Sequence, residues 1–175
     1  MVVVVMGVSG CGKSTIGALL AARLGCPFLD ADEFHPPANV AKMAAGTPLT
    51  DEDREPWLRL LNEKLRSSPD AVLACSALKE RYRRTLAEGL AGCRFVHLRG
   101  SRELIAARLA ARRHRYMPAS LLDSQFAALE APTDAIDVDI AASTGHCVET
   151  IAARLAAAQG PSPASATVAA GRTPG

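Results

Sequence analysis

Short apolar runs alternate along this chain with longer stretches of helical periodicity. Residues 2–6, Val-Val-Val-Val-Met, are apolar at every position and too few for a helix, the pattern of a strand buried on both faces. Similar runs predict strands over 27–29, 71–75, 94–98 and 136–140. Between them, helical patterns predict helices over 14–24, 37–45, 51–67, 79–88, 102–112, 118–129 and 145–158. End signals mark several of these: Gly46 follows the second, Thr50 and Ser101 are N-caps of the third and fifth, and Pro118 opens the sixth. Such alternation predicts an α/β fold, a five-stranded parallel sheet flanked by helices. Two helical segments separate the second strand from the third, more than a simple crossover needs, and a helix-loop-helix precedes the fifth. These insertions predict a substrate flap over about 35–68 and a lid over about 112–118. From residue 160 the chain is rich in Pro, Gly and small residues without apolar periodicity, which predicts one folded domain over 1–159 and a disordered tail over 160–175.

Chemistry enters directly after the first strand. Gly7-Val8-Ser9-Gly10-Cys11-Gly12-Lys13-Ser14 is G-x-x-x-x-G-K-[ST] between a predicted strand and a predicted helix, the setting in which this pattern forms a phosphate-binding loop. Gly7, Gly10 and Gly12 let the backbone close around phosphates with its N–H groups inward, and the helix through Ser14 and Thr15 adds its positive end. Lys13 would bridge the β- and γ-phosphates of a nucleoside triphosphate, and the Ser14 hydroxyl would ligate Mg²⁺. A P-loop NTPase is therefore expected.

Composition narrows the partners. A formal charge of +2 is too small to imply nucleic acid or a membrane surface, and no apolar stretch is long enough to span a bilayer. Sixteen of the basic residues are Arg and only Lys13, Lys42, Lys64 and Lys79 are Lys, so each lysine hints at a need for a compact ammonium. The five cysteines, Cys11, Cys26, Cys75, Cys93 and Cys147, are odd in number and lack metal-ligand spacing, as expected for reduced thiols in a cytoplasmic protein. Cys11, inside the phosphate loop, is a candidate for inhibition by oxidation. The valine run has no basic residues before it and no A-x-A cleavage site, so a strand rather than a signal peptide is expected.

A phosphate loop alone does not identify an acceptor. Asp30 and Asp32 fall just past the second strand, where open parallel sheets bind ligands. One carboxylate can hold Mg²⁺ and the other can accept a hydroxyl proton. No aspartate ends the third strand, which runs Ala71-Val72-Leu73-Ala74-Cys75-Ser76-Ala77-Leu78-Lys79, so the metal role returns to this pair, with Asp30 taken as the metal residue beside Ser14. Lys79 stands at the mouth of that strand, suited to an anionic substrate.

The stretch from His35 to Leu58 resembles the pattern H-P-x-x-N-x-x-K-M-x-x-G-x-P-L-x-D-x-D-R-x-P-W-L of thermoresistant-type gluconokinases. Cys75 to Arg83 is similar to C-S-A-L-K-x-x-Y-R, and Ser124-Gln125-Phe126 with Leu129-Glu130 to S-Q-F-x-x-L-E. The resemblance implies a nucleoside-monophosphate-kinase-like fold, usually dimeric, and ATP-dependent phosphorylation of D-gluconate at its 6-hydroxyl. It implies Asp32 as the residue that orients and deprotonates that hydroxyl, and Asp32, His35, Arg54, Lys79 and Gln125 as substrate-binding residues. The residue types suit a small polyol carboxylate, and the Arg54 guanidinium can clamp an anion through two hydrogen bonds. Trp57 is expected to anchor the flap rather than touch sugar. Resemblance to related kinases further implies Arg108 over the adenine and Arg112 on the phosphates, four residues apart on one helix face.

Two features depart from the family pattern. Arg112-Arg113-His114-Arg115-Tyr116-Met117 stands where R-x-G-H-F-M is expected, and the loss of a glycine should stiffen the lid. The segment after Pro132 is shorter than the family's acidic loop near the adenine. The alternatives are a shikimate-kinase-like enzyme, an adenylylsulfate kinase, or a nucleotide-binding regulatory module that transfers nothing. The first expects a glycine-rich turn where this chain has Cys75 to Lys79, the second a different segment after Asp32, and the third has no use for acceptor residues.

Overall fold

The computed structural model describes residues 1–111 and 119–159. The expected lid over 112–118, with Arg112, and the expected tail over 160–175 lie outside the described residues. The elements are β1 (Val2–Met6), α1 (Lys13–Leu24), β2 (Phe28–Asp30), a 3₁₀ turn (Ala31–Phe34), α2 (Pro37–Ala44), α3 (Asp51–Arg66), β3 (Ala71–Ala74), α4 (Glu80–Ala87), β4 (Arg94–Arg99), α5 (Arg102–Ala110), α6 (Ala119–Ala128), β5 (Ile136–Asp139) and α7 (Thr144–Gln159). Every expected strand and helix is present, with ends shifted by one or two residues. The 3₁₀ turn was not expected. It forms because the Asp30 carboxylate accepts the Asp32 N–H at 3.1 Å, turning the chain as soon as β2 ends.

All five strands run parallel in the order β2-β3-β1-β4-β5. β1 is central and wholly buried, which explains its unbroken apolar sequence. Its side chains alternate between two cores. Val3 and Val5 face Ile16, Leu20, Leu98, Ile105 and Ile151. Val2, Val4 and Met6 face Trp57, Leu58, Leu61, Leu65 and Leu86. The chain leaves β1 between β3 and β4, where the strand order reverses, so the phosphate loop emerges at the crevice that such sheets offer ligands.

The segment between β2 and β3 is the expected pair of helices, and Asp53 ties them together. Its carboxylate receives the Lys42 ammonium at 2.6 and 2.8 Å and the Thr50 N–H at 2.9 Å, while its N–H reaches Thr50 Oγ1, a reciprocal cap on α3. Buried Asn39 donates to the Asp53 carbonyl at 2.9 Å. Asn39, Lys42, Thr50 and Asp53 are therefore accounted for by folding. Trp57 anchors the group as expected: buried, it donates its indole N–H to the Ala31 carbonyl at 2.9 Å.

Candidate active site

The loop from Gly7 to Gly12 takes its shape from left-handed backbone. Gly10 and Gly12 have φ of +87° and +99°, a region that side chains rarely adopt. A Cβ on Gly10 would also lie 2.8 Å from the Leu109 side chain, so α5 is packed directly against the loop. Lys13 donates to the Val8 carbonyl at 3.0 Å, which folds its ammonium across the loop. The Cys11 thiol is buried beneath, and burial raises its pKa despite the nearby Lys13 charge. A buried, protonated thiol is a poor nucleophile, so the structure does not support Cys11 as an oxidation-sensitive position.

Ser14 Oγ donates to Asp30 Oδ2 at 2.6 Å, joining the first turn of α1 to the end of β2. Among the described residues no three His, Cys, Asp or Glu side chains converge. A hydroxyl beside one carboxylate is a hard-oxygen donor set that fits Mg²⁺, which takes its remaining ligands from water and phosphate. Asp32, two residues on, is exposed at the same strand end.

Two of the acceptor residues expected from the sequence, Arg54 and Lys79, meet at the Tyr82 ring. The Arg54 guanidinium lies 5.8 Å from its centroid and the Lys79 ammonium 5.7 Å. His35 stacks on Trp57 with centroids 4.1 Å apart and 14° between the planes. Its Nδ1 is buried with no hydrogen-bond partner, and burial lowers its pKa, with the Asp32 charge opposing and Arg54 assisting. His35 is therefore a neutral imidazole at pH 7 whose buried Nδ1 finds no partner within the protein. The buried Cys75 thiol, at the end of β3, feels the charges of Lys13, Asp32 and Arg54 together, while burial pushes its pKa up to about 12.

Asp51, Arg81, Tyr82 and Arg83, which sequence reasoning left aside, complete the cluster. Asp51 binds Lys79 through both carboxylate oxygens, at 3.0 and 3.1 Å, and is also paired with Arg81 and the Tyr82 hydroxyl. Lys79 is therefore fixed in place rather than free, a point its position in the sequence did not reveal. The signal was present in hindsight, since Asp51 and Tyr82 both belong to the quoted patterns. Buried Arg83 donates to the carbonyls of Ala77 and Leu78 at 3.1 Å each, holding Ala77 at φ +43°. That turn presents Lys79.

Gln125 does not join this group. Its amide is engaged by Ser9 of the phosphate loop, at 2.7 and 3.0 Å. Arg108 donates to the Ile140 carbonyl at 2.6 Å, which brings α5 against the end of β5.

The shikimate kinase family model matches residues 9–132. Gluconokinase of Gluconobacter oxydans is 52% identical over 135 residues, covering 75% of this chain and 76% of its own. Thermoresistant gluconokinase of Escherichia coli is 42% identical over 145 residues, covering 78% and 83%. The crystal structure of a gluconokinase from Sinorhizobium meliloti superposes with a TM-score of 0.84 at 44% identity, over 89% of this chain and 91% of that one. The shikimate kinase of Aquifex aeolicus, at 18% identity and a TM-score of 0.59, shares the fold alone. With identities of this size over three quarters of its length, on the domain that the shikimate kinase model describes, the chain belongs to the gluconokinase family.

Proposed function

We propose that the protein transfers the γ-phosphoryl group of ATP to the 6-hydroxyl of D-gluconate, giving 6-phospho-D-gluconate and ADP. The observation that carries this reading is the meeting of the phosphate loop with the cluster of Asp51, Arg54, Lys79 and Tyr82, through the contact of Gly7 with Ser76. Lys13 and the loop N–H groups hold the phosphates, and Ser14 with Asp30 would hold Mg²⁺. When bound, Mg²⁺ offsets the negative charge of the β- and γ-phosphoryl oxygens.

Asp32 orients the 6-hydroxyl and accepts its proton. Arg54 and Lys79, beside Arg81, supply cationic charge for the gluconate carboxylate. Neutral His35 presents a ring nitrogen to a sugar hydroxyl. Holding donor and acceptor against one strand end replaces a bimolecular encounter with a positioned one. Arg108 serves the adenine side and Arg112 the transferred charge. Domain 1–159 acts as one kinase unit with its flap and lid. The same reading takes the enzyme to be a cytoplasmic homodimer. Five free thiols suit a reducing compartment, and no helix among the described residues is long and apolar enough to cross a membrane.

ADP release from Mg-ATP, with D-gluconate, shikimate, adenylylsulfate or no acceptor, tests the assignment. Turnover with gluconate alone is expected. Nucleotide binding without turnover on any acceptor would overturn it.

A further inference from the structure

Gln125 belongs to α6 and lies 116 residues from the loop it touches. Its Oε1 accepts the Ser9 N–H at 2.7 Å and its Nε2 donates to Ser9 Oγ at 3.0 Å. Both ends of the amide are spent on one residue, a two-point clamp that fixes both the Ser9 peptide and its hydroxyl rotamer. The next residue, Gly10, lies close against the Leu109 side chain of α5.

Five residues after Gln125, the same segment grips the acceptor loop. The Glu130 N–H donates to the Leu78 carbonyl at 2.9 Å, and the Glu130 carboxylate accepts the Glu80 N–H at 2.6 Å, capping α4 next to Lys79. The two loops also touch directly, Gly7 N–H to Ser76 carbonyl at 3.3 Å. One short stretch, 125–130, therefore holds the phosphate loop at one end and the acceptor loop at the other.

We infer that Gln125 is a positioning residue for the nucleotide phosphates rather than an acceptor contact, with Glu130 as its counterpart on the acceptor side. The inference rests on nucleotide binding by the phosphate loop and not on which acceptor is used. In-line transfer needs the reacting atoms about 3–3.5 Å apart, so a loop free to drift loses rate even with every ligand contact intact.

The test pairs Gln125→Ala with Glu130→Ala in the full chain. It measures calorimetric binding of a non-hydrolysable ATP analogue without acceptor, KM for gluconate, and the thermal midpoint. Gln125→Ala should weaken analogue binding about tenfold and leave the gluconate KM within about twofold. Glu130→Ala should show the reverse pattern, raising the gluconate KM about fivefold with analogue binding unchanged. Ser9→Ala, which removes only the hydroxyl partner, should weaken analogue binding less than Gln125→Ala and reduce the further effect of that substitution. A rise in gluconate KM alone for Gln125→Ala would make it an acceptor contact and overturn the inference. Equal losses in both variants, tracking the thermal midpoint, would also overturn it by showing a purely structural role. Gln125→Met keeps the volume and replaces Gln125→Ala should the latter fail to fold. Because the analogue measurement needs no acceptor, it stands even where gluconate proves not to be the substrate.

Discussion

Asp51 holds the Lys79 ammonium with both carboxylate oxygens, at 3.0 and 3.1 Å. The lysine reaches the site as part of a pair, and Asp51 keeps Arg81 and Tyr82 as further partners. Removing the lysine charge therefore leaves no carboxylate stranded. Lys79→Met is expected to raise the gluconate KM about tenfold or more, with the ATP KM and the thermal midpoint little changed. Steady-state kinetics with each substrate varied checks the split. An unchanged gluconate KM would remove Lys79 from the acceptor site.

Asp32 is exposed, and its backbone N–H, not its carboxylate, makes the turn contact to Asp30. Its carboxylate is thus no part of that turn, while its charge acts on His35. Asp32→Asn should lower kcat by about two to four orders of magnitude while ATP-analogue binding is retained. Single-turnover rates give the comparison, and a kcat within tenfold of wild type would eliminate Asp32 as the base.

The bond between Ser14 and Asp30 predicts a shared metal phenotype. Asp30→Ala and Ser14→Ala should each raise the Mg²⁺ concentration for half-maximal rate, by about tenfold or more. The double variant should cost less than the product of the two. Titration of Mg²⁺ at fixed ATP decides the matter.

Trp57→Phe removes the indole N–H and leaves the buried Ala31 carbonyl without that donor. The expected cost is about 1–3 kcal/mol, visible as a lowered thermal midpoint. The gluconate KM should rise as well, because His35 stacks on this ring. Stability equal to wild type would show that the hydrogen bond contributes nothing net.

His35 and His97 share a pH signature. Burial lowers both from the ordinary value of 6.5, with Asp32 opposing at His35 and Asp137 opposing at His97. The unfolded chain therefore takes up protons first on acidification. Stability from this source is complete above about pH 6.5 and is lost as the pH falls below it. Thermal midpoints should decline over that range, and His97→Asn should flatten the decline. A midpoint that rises on acidification would contradict the buried, neutral state of both rings.

Local information carried the sequence reading a long way. The apolar run of β1, the glycine spacing of the loop and the cap at Thr50 are each complete within a few residues, and the structure keeps all of them. The 3₁₀ turn after β2 escaped because a single Asp30 side chain makes it, with no periodicity to read. Gln125 lay within a recognised pattern yet was grouped with the acceptor residues. A pattern records which residues occur and not what they touch across 116 positions of chain.

By itself, the sequence determined the alternation of strands and helices and the phosphate loop, since each depends on backbone preference and spacing between near neighbours. Only the tertiary structure decided that Asp51 fixes Lys79, that Tyr82 gathers Arg54 and Lys79, and that α6 clamps Ser9. These are contacts between elements brought together by burying both faces of one sheet. Their partners are chosen by packing and by the need to satisfy buried polar groups, and neither is written in any local stretch of chain.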